Sequence, residues 1–178
     1  WLLKYPRPNT GEHWAEAVAA CVADALGIPH AHVDLAVRGG EACTISPDFT
    51  RPPDVARRNP SSAFELVLGN VLLATVIAAY DQKAQKPPDH SVDAILTFLL
   101  ATSRIDPPAC SSTPAEIATA ADFFVGYLLL DALIGNTDRH HENWGIVIQR
   151  WQDQVAGSRA FHSGGNVRAA FERIEVQL

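Results

Sequence analysis

The sequence predicts an α+β fold, with a small β-containing part followed by a mostly helical one. Three observations point there. Short β-type segments cluster in the first 46 residues, a four-proline stretch at 47–60 (PDFTRPPDVARRNP) interrupts the chain, and long segments of helical period follow it. Taking the elements in order, Leu2-Leu3-Lys4-Tyr5 reads as the end of a strand. Asn9-Thr10-Gly11-Glu12 has the form of a helix start, with Asn9 as cap and Glu12 three positions on. Trp14, Ala17, Val18, Cys21, Val22, Ala25 and Leu26 recur at helical spacing and define the predicted buried face, and Gly27 before Ile28-Pro29 ends the helix near residue 26. Val33 to Val37 and Ala42 to Ser46 flank Arg38-Gly39-Gly40-Glu41, a hairpin signature. Beyond the proline-rich connector, Phe64 to Tyr80 and Val92 to Thr102 are predicted helices, broken by Lys86-Pro87-Pro88-Asp89. Thr113-Pro114-Ala115-Glu116 is the expected start of the longest helix, which runs to about Ile134, buries Ile117, Ala121, Phe124 and Leu128, and stops at Gly135-Asn136. Trp144 to Ile148 then reads as a strand.

Composition narrows the class of function. The 178 residues suit one domain or a piece of a larger protein, and 47% hydrophobic against 19% charged residues argues for a packed core. A net charge of -6, with no basic block beyond Arg57-Arg58, leaves little for a phosphate backbone to hold, so nucleic acid is not an expected partner. The apolar runs Val71 to Ala79 and Phe123 to Leu130 fall short of the roughly 20 residues that cross a bilayer, so a membrane is not expected either. Cys21, Cys43 and Cys110 are far apart and odd in number, which fits a reducing cytoplasm better than a disulfide framework. The start at Trp1 in place of Met points to residues upstream.

The chemistry is concentrated in Leu129 to Ile146, LLDALIGNTDRHHENWGI. Asp138 and Asn143 lie five residues apart, and a loop that doubles back brings a carboxylate and an amide oxygen together. Phosphoryl transfer uses such a pair, one group to orient the attacking hydroxyl and take its proton, the other to hold the magnesium that bridges the nucleotide phosphates. A five-residue Asp-to-Asn spacing recurs by chance, and a solvated turn after a helix end is the plain alternative. The flanking apolar helix and strand favour the catalytic interpretation. His13, His140 and His141 do not form a zinc chelate, because adjacent histidines project differently and no H-E-x-x-H occurs. Walker A and G-x-S-x-G patterns are absent from the sequence. Asp131, one turn before the loop, is either a brace for it or an ordinary exposed helix acid.

The run Ile134-Gly135-Asn136-Thr137-Asp138-Arg139-His140-His141-Glu142-Asn143-Trp144-Gly145 resembles the catalytic loop of HipA-like bacterial protein kinases. Upstream, Lys4, Gly11 to Glu16, Leu26 to Ala31 and Phe123 to Tyr127 are similar to the same family, so the resemblance covers roughly residues 1–148. It implies a two-lobed, kinase-like fold: a partial small lobe at 1–50, a helical lobe at 51–153 with the catalytic loop at 136–145, and a divergent tail at 154–178. It further implies a serine/threonine protein kinase using ATP and Mg2+, with Asp138 as base, Asn143 as magnesium ligand and Arg139 positioning the loop. His140 and Asn136 would support the loop, Lys4 would hold the α- and β-phosphates, and Glu16 would pair with Lys4. The implied partners are a protein substrate and an antitoxin-like protein. Two parts of the family pattern are missing. Only three residues precede Lys4 where a glycine-rich loop is expected, and residues 154–178 contain no Asp, with Ala160 or Phe161 standing where the second metal ligand belongs. A catalytically impaired, pseudokinase-like binding module and a small-molecule or lipid phosphotransferase are the competing expectations.

Overall fold

A computed structural model describes residues 1–48, 50, 63–102, 105–107, 116–150 and 167–170. In chain order the elements are β1 (Leu2–Lys4), α1 (Glu12–Leu26), β2 (Asp34–Arg38), β3 (Glu41–Ser46), β4 (Ala63–Leu68), α2 (Gly69–Ala74), α3 (Val92–Ala101), β5 (Ile105–Asp106), α4 (Ala120–Ile134), β6 (Gly145–Arg150) and β7 (Val167–Ala170). The strands form two sheets. The first is three-stranded, ordered β1-β3-β2, and the second is four-stranded, ordered β4-β6-β7-β5.

In the first sheet β3 is central and pairs antiparallel with both neighbours, Lys4 opposite Thr44 and Leu35 opposite Thr44 on the other side. The hairpin predicted between β2 and β3 is present. Gly39 and Gly40 both take positive φ, 63° and 87°, the conformation that a two-residue turn between right-twisted strands requires. Helix α1 ends where expected, at Gly27 in the left-handed conformation. Its start and buried face both differ from the sequence expectation. Asn9 has φ 61° and caps nothing; Gly11 occupies the cap position, and Glu12 instead accepts from the backbone N–H and Nε of Arg7. The buried side chains are Glu12, Ala15, Glu16, Ala19, Ala20 and Ala23, while Trp14 is 49% exposed and Val18 and Leu26 also face solvent. An alanine face lets the helix sit close: Ala15 and Ala19 pack against Ile134 at the end of α4.

The second sheet contains the strand expected at residues 144–148, as β6, and adds strands where helix or no strand was expected. Phe64 to Leu68 is strand, not helix, and pairs antiparallel with β6 from Ala63 opposite Arg150 to Leu68 opposite Gly145. A short apolar run without breakers fits either state, and pairing with a strand some 80 residues away decides it. Only the following Gly69–Ala74 is helical. The connector at 51–60 lies outside the described residues. Helix α3 matches its prediction and is capped by the Ser91 hydroxyl, which accepts from the Ala94 N–H at 3.2 Å. Helix α4 begins later than predicted. Its capping box is Thr119 with Asp122, Ile117 ahead of it is exposed, and the predicted start at residues 113–115 lies outside the described residues.

The core lies between α2, α3, α4 and the second sheet. Leu73, Ile95, Phe98, Phe124, Tyr127, Trp144 and Ile146 are among its buried members, each contributing roughly 1.5–3 kcal/mol on burial. Trp144 is central, with Phe124 edge-on at 5.9 Å and Phe98 at 6.4 Å between ring centroids. The segment after α1 docks on the same core: Ile28 packs over Gly126, and the Tyr127 hydroxyl donates to the Pro29 carbonyl.

Candidate active site

Two groups of polar side chains stand out, and each is built from the elements beside it. The first joins β1, α1 and β3. Lys4 on β1 donates from Nζ to Glu16 Oε1 at 2.5 Å, and Thr44 on β3 donates from Oγ1 to Glu16 Oε2 at 3.0 Å. Both oxygens of a buried carboxylate are therefore engaged. The sequence suggested Lys4 and Glu16 but not Thr44, whose place across the ladder from Lys4 becomes visible only once the register is known.

The second group is the loop after α4. Gly135, with φ 70°, ends the helix and turns the chain back. Asp131, in the last turn, is buried and is the hub of the loop. Its Oδ1 accepts from Asn136 Nδ2 at 2.8 Å and from Arg139 Nη2 at 2.7 Å, and its Oδ2 accepts from Arg139 Nε at 2.7 Å. The fork-to-fork ion pair is largely shielded from water on both sides. Arg139 extends the brace, donating from Nη1 to the Asn143 carbonyl at 2.9 Å, while Asn136 Oδ1 accepts from the Asp138 N–H at 3.1 Å. The alternative of an exposed helix acid at Asp131 is thereby set aside.

Asp138 and Asn143 converge as the doubled-back loop requires. Asn143 Nδ2 donates to the Asp138 carbonyl and lies 3.3 Å from Asp138 Oδ2, and the Asn143 N–H donates to the His140 carbonyl at 2.9 Å. With its amide hydrogens turned toward Asp138, Asn143 keeps Oδ1 as the atom a hard cation would take. His140 Nδ1 accepts from the Glu142 N–H at 3.1 Å, and its Nε2 faces Asp138 Oδ1 at 3.8 Å. His141, only 2% exposed, shares a hydrogen bond at 2.9 Å between its Nδ1 and the Tyr80 hydroxyl. Burial raises the Tyr80 pKa, helped by the Asp89 charge, and burial lowers that of His141, so a protonated hydroxyl meets a neutral ring across this bond. His90, whose ring lies 5.7 Å from that of His141, is lowered to about 4, by burial first and then by the neighbouring histidines. Tyr80 and His90 were not singled out from the sequence, and His141 was weighed there only as a zinc ligand, since 61 residues separate Tyr80 from His141.

Lys4 and Glu16 thus meet each other, and Asn136, Asp138, Arg139, His140 and Asn143 form one loop. Helix α1 links the two groups, carrying Glu16 on the same buried face whose Ala15 and Ala19 meet Ile134. The donor types are a carboxylate and an amide oxygen in the loop, and an ammonium held by a carboxylate in the first group. Among the described residues no group of three or more His, Cys, Asp or Glu side chains could hold a metal by itself, and the expected second-ligand positions, 160 and 161, lie outside them. Among the described residues no helix is long and apolar enough to cross a membrane.

The chain is similar to the crystal structure of a Helicobacter pylori proinflammatory kinase, CtkA, with a TM-score of 0.58 and 21% identity over 96% of this chain and 49% of that one. It therefore spans about half the length of that kinase. A likeness at this identity speaks to the fold alone, a mixed helix-and-sheet architecture with small sheets similar to that of this kinase. No family model matches the sequence, and no curated protein matches it.

Proposed function

We propose that the chain is part of an ATP-dependent phosphotransferase related to HipA-like serine/threonine protein kinases, with a small lobe at 1–50, a helical lobe at 51–153 and a divergent tail at 154–178. The observation that carries this reading is the convergence of Asn143 on Asp138 in a loop anchored by a buried Asp131–Arg139 pair. Support comes from the Lys4–Glu16 pair in the same chain and from the kinase-type fold.

In this proposal Asp138 orients a protein Ser or Thr hydroxyl and takes its proton as the oxygen attacks. Asn143 offers Oδ1 to Mg2+, and Lys4, held by Glu16, neutralises the α- and β-phosphates. Bound magnesium supplies charge neutralisation at the phosphates. Arg139 holds the loop, with His140 and Asn136 as its supports, and Glu142 keeps the His140 ring turned so that Nε2 faces Asp138. The setting is a reducing cytoplasm, the direct partner a protein substrate, and an antitoxin-like protein a further candidate partner.

A second reading is favoured by one observation: residues 154–178 contain no Asp to serve as the other metal ligand. A nucleotide-binding module of pseudokinase type would keep the first half of the site and lack turnover. A small-molecule or lipid phosphotransferase would use the same groups on a different hydroxyl. Incubation with γ-labelled ATP and magnesium, followed by mapping of phosphorylated residues, separates the three. Label on protein Ser or Thr that disappears in Asp138→Asn supports the kinase. Binding without transfer supports the module, and label confined to small molecules or lipid supports the last.

A further inference from the structure

Asn143 is fixed from both sides by a ledge at the junction of β4 and α2. The Asn70 N–H donates to the His141 carbonyl at 2.8 Å, and the Gly69 N–H donates to the Trp144 carbonyl at 2.8 Å. These carbonyls bracket the 142–143 segment, so the ledge fixes the backbone on either side of the Asn143 amide. Two side-chain features keep the ledge and the loop in register. Tyr80 reaches across to His141 with both groups buried, and Gly69 lies so close to the Trp144 indole that any Cβ there would overlap the ring. Trp144 is 1% exposed and boxed in by Phe98 and Phe124, so it has no room to yield.

We propose, on the basis of the phosphotransferase reading, that Gly69 and Tyr80 are positioning residues for Asn143 and set the magnesium dependence of nucleotide binding. Neither lies in the Lys4–Glu16 group, so ATP affinity without magnesium should not depend on them. Their effect reaches a cation only through the aim of Asn143 Oδ1. Partners that orient a metal ligand in this way commonly change metal affinity by about 10-fold or more when removed.

The test is calorimetric titration of the full chain with ATP across a range of Mg2+ concentrations, for the wild type, Tyr80→Phe, Gly69→Ala and Asn143→Ala, with thermal melting of each. Tyr80→Phe keeps the ring in the core and removes only the hydroxyl, so it decides the matter even where Gly69→Ala fails to fold. The expected result is unchanged ATP affinity without magnesium and a gain from magnesium reduced about 10-fold in Tyr80→Phe and in folded Gly69→Ala. A wild-type gain in Tyr80→Phe, while Asn143→Ala loses it, overturns the positioning role and leaves the phosphotransferase reading intact. Loss of magnesium-free binding in Tyr80→Phe also overturns it, since the residue would then act on the fold at large. A gain that survives in Asn143→Ala sinks the underlying reading, and the positioning role with it.

Discussion

Replacing Asp131 by Asn changes one atom at the hub of the loop, and its cost follows from the bonds around it. The carboxylate accepts three hydrogen bonds, from Asn136 Nδ2, Arg139 Nε and Arg139 Nη2, at 2.7 to 2.8 Å. An amide of the same shape has one oxygen, so an NH2 group must face a donor of Arg139 or Asn136. At least one charge-assisted bond is lost, at about 1.5–3 kcal/mol, and a buried donor is left unmatched. The guanidinium also loses its counter-charge while remaining shielded, and breaking a buried pair in this way costs about 3–5 kcal/mol. The two estimates overlap near about 3 kcal/mol, a large share of the roughly 5–15 kcal/mol that holds a domain together. Urea denaturation followed by circular dichroism measures it as a fall in midpoint with the slope unchanged. Asp131→Asn within about 0.5 kcal/mol of wild type, the range of an ordinary surface substitution, would refute the hub assignment.

Other perturbations follow from the same geometry. Thr44→Val leaves Glu16 Oε2 without its donor and should cost about 1–3 kcal/mol by the same denaturation assay, whereas Thr44→Ser should restore most of it. Gly135→Ala meets no steric obstacle but forces a β-carbon onto a left-handed residue, and should destabilise by about 1 kcal/mol; an unchanged melting curve would contradict that conformation. For His90 the folded value of about 4 lies below the ordinary 6.5, so the unfolded chain binds the extra proton first as pH falls. Its contribution to stability is whole above pH 6.5 and declines toward pH 4, by at most about 1.4 kcal/mol per pH unit. His90→Phe should flatten that part of the stability profile, and an unaltered profile would count against a desolvated ring.

Much of the fold was legible where local chemistry decides. Gly39-Gly40 demands a hairpin, and Gly27 and Gly135 end helices in the left-handed conformation. What was missed depends on partners distant in the chain. Phe64 to Leu68 becomes a strand because β6 lies beside it, and α1 buries alanines in place of Trp14 and Val18 because Ile134 and the paired Glu16 lie on that side. Alanine carries little hydrophobic signal, so a face made of it is invisible to periodicity. The loop motif was legible through the Asp138-to-Asn143 spacing and its resemblance to a family loop. Its near supports, Asn136, Arg139 and His140, were legible with it, but Tyr80 and Gly69 behind the loop and Thr44 beside Glu16 were not, since each acts across a gap that only the fold closes.

The most direct test of the central proposal is titration of this chain with ATP, with and without magnesium, beside Lys4→Ala and Asn143→Ala. Binding strengthened by magnesium, weakened in Lys4→Ala with or without the metal, and deprived of its magnesium gain in Asn143→Ala is the predicted result. A folded chain that binds no ATP at millimolar concentration, or binds it equally well in both variants, would contradict the nucleotide site.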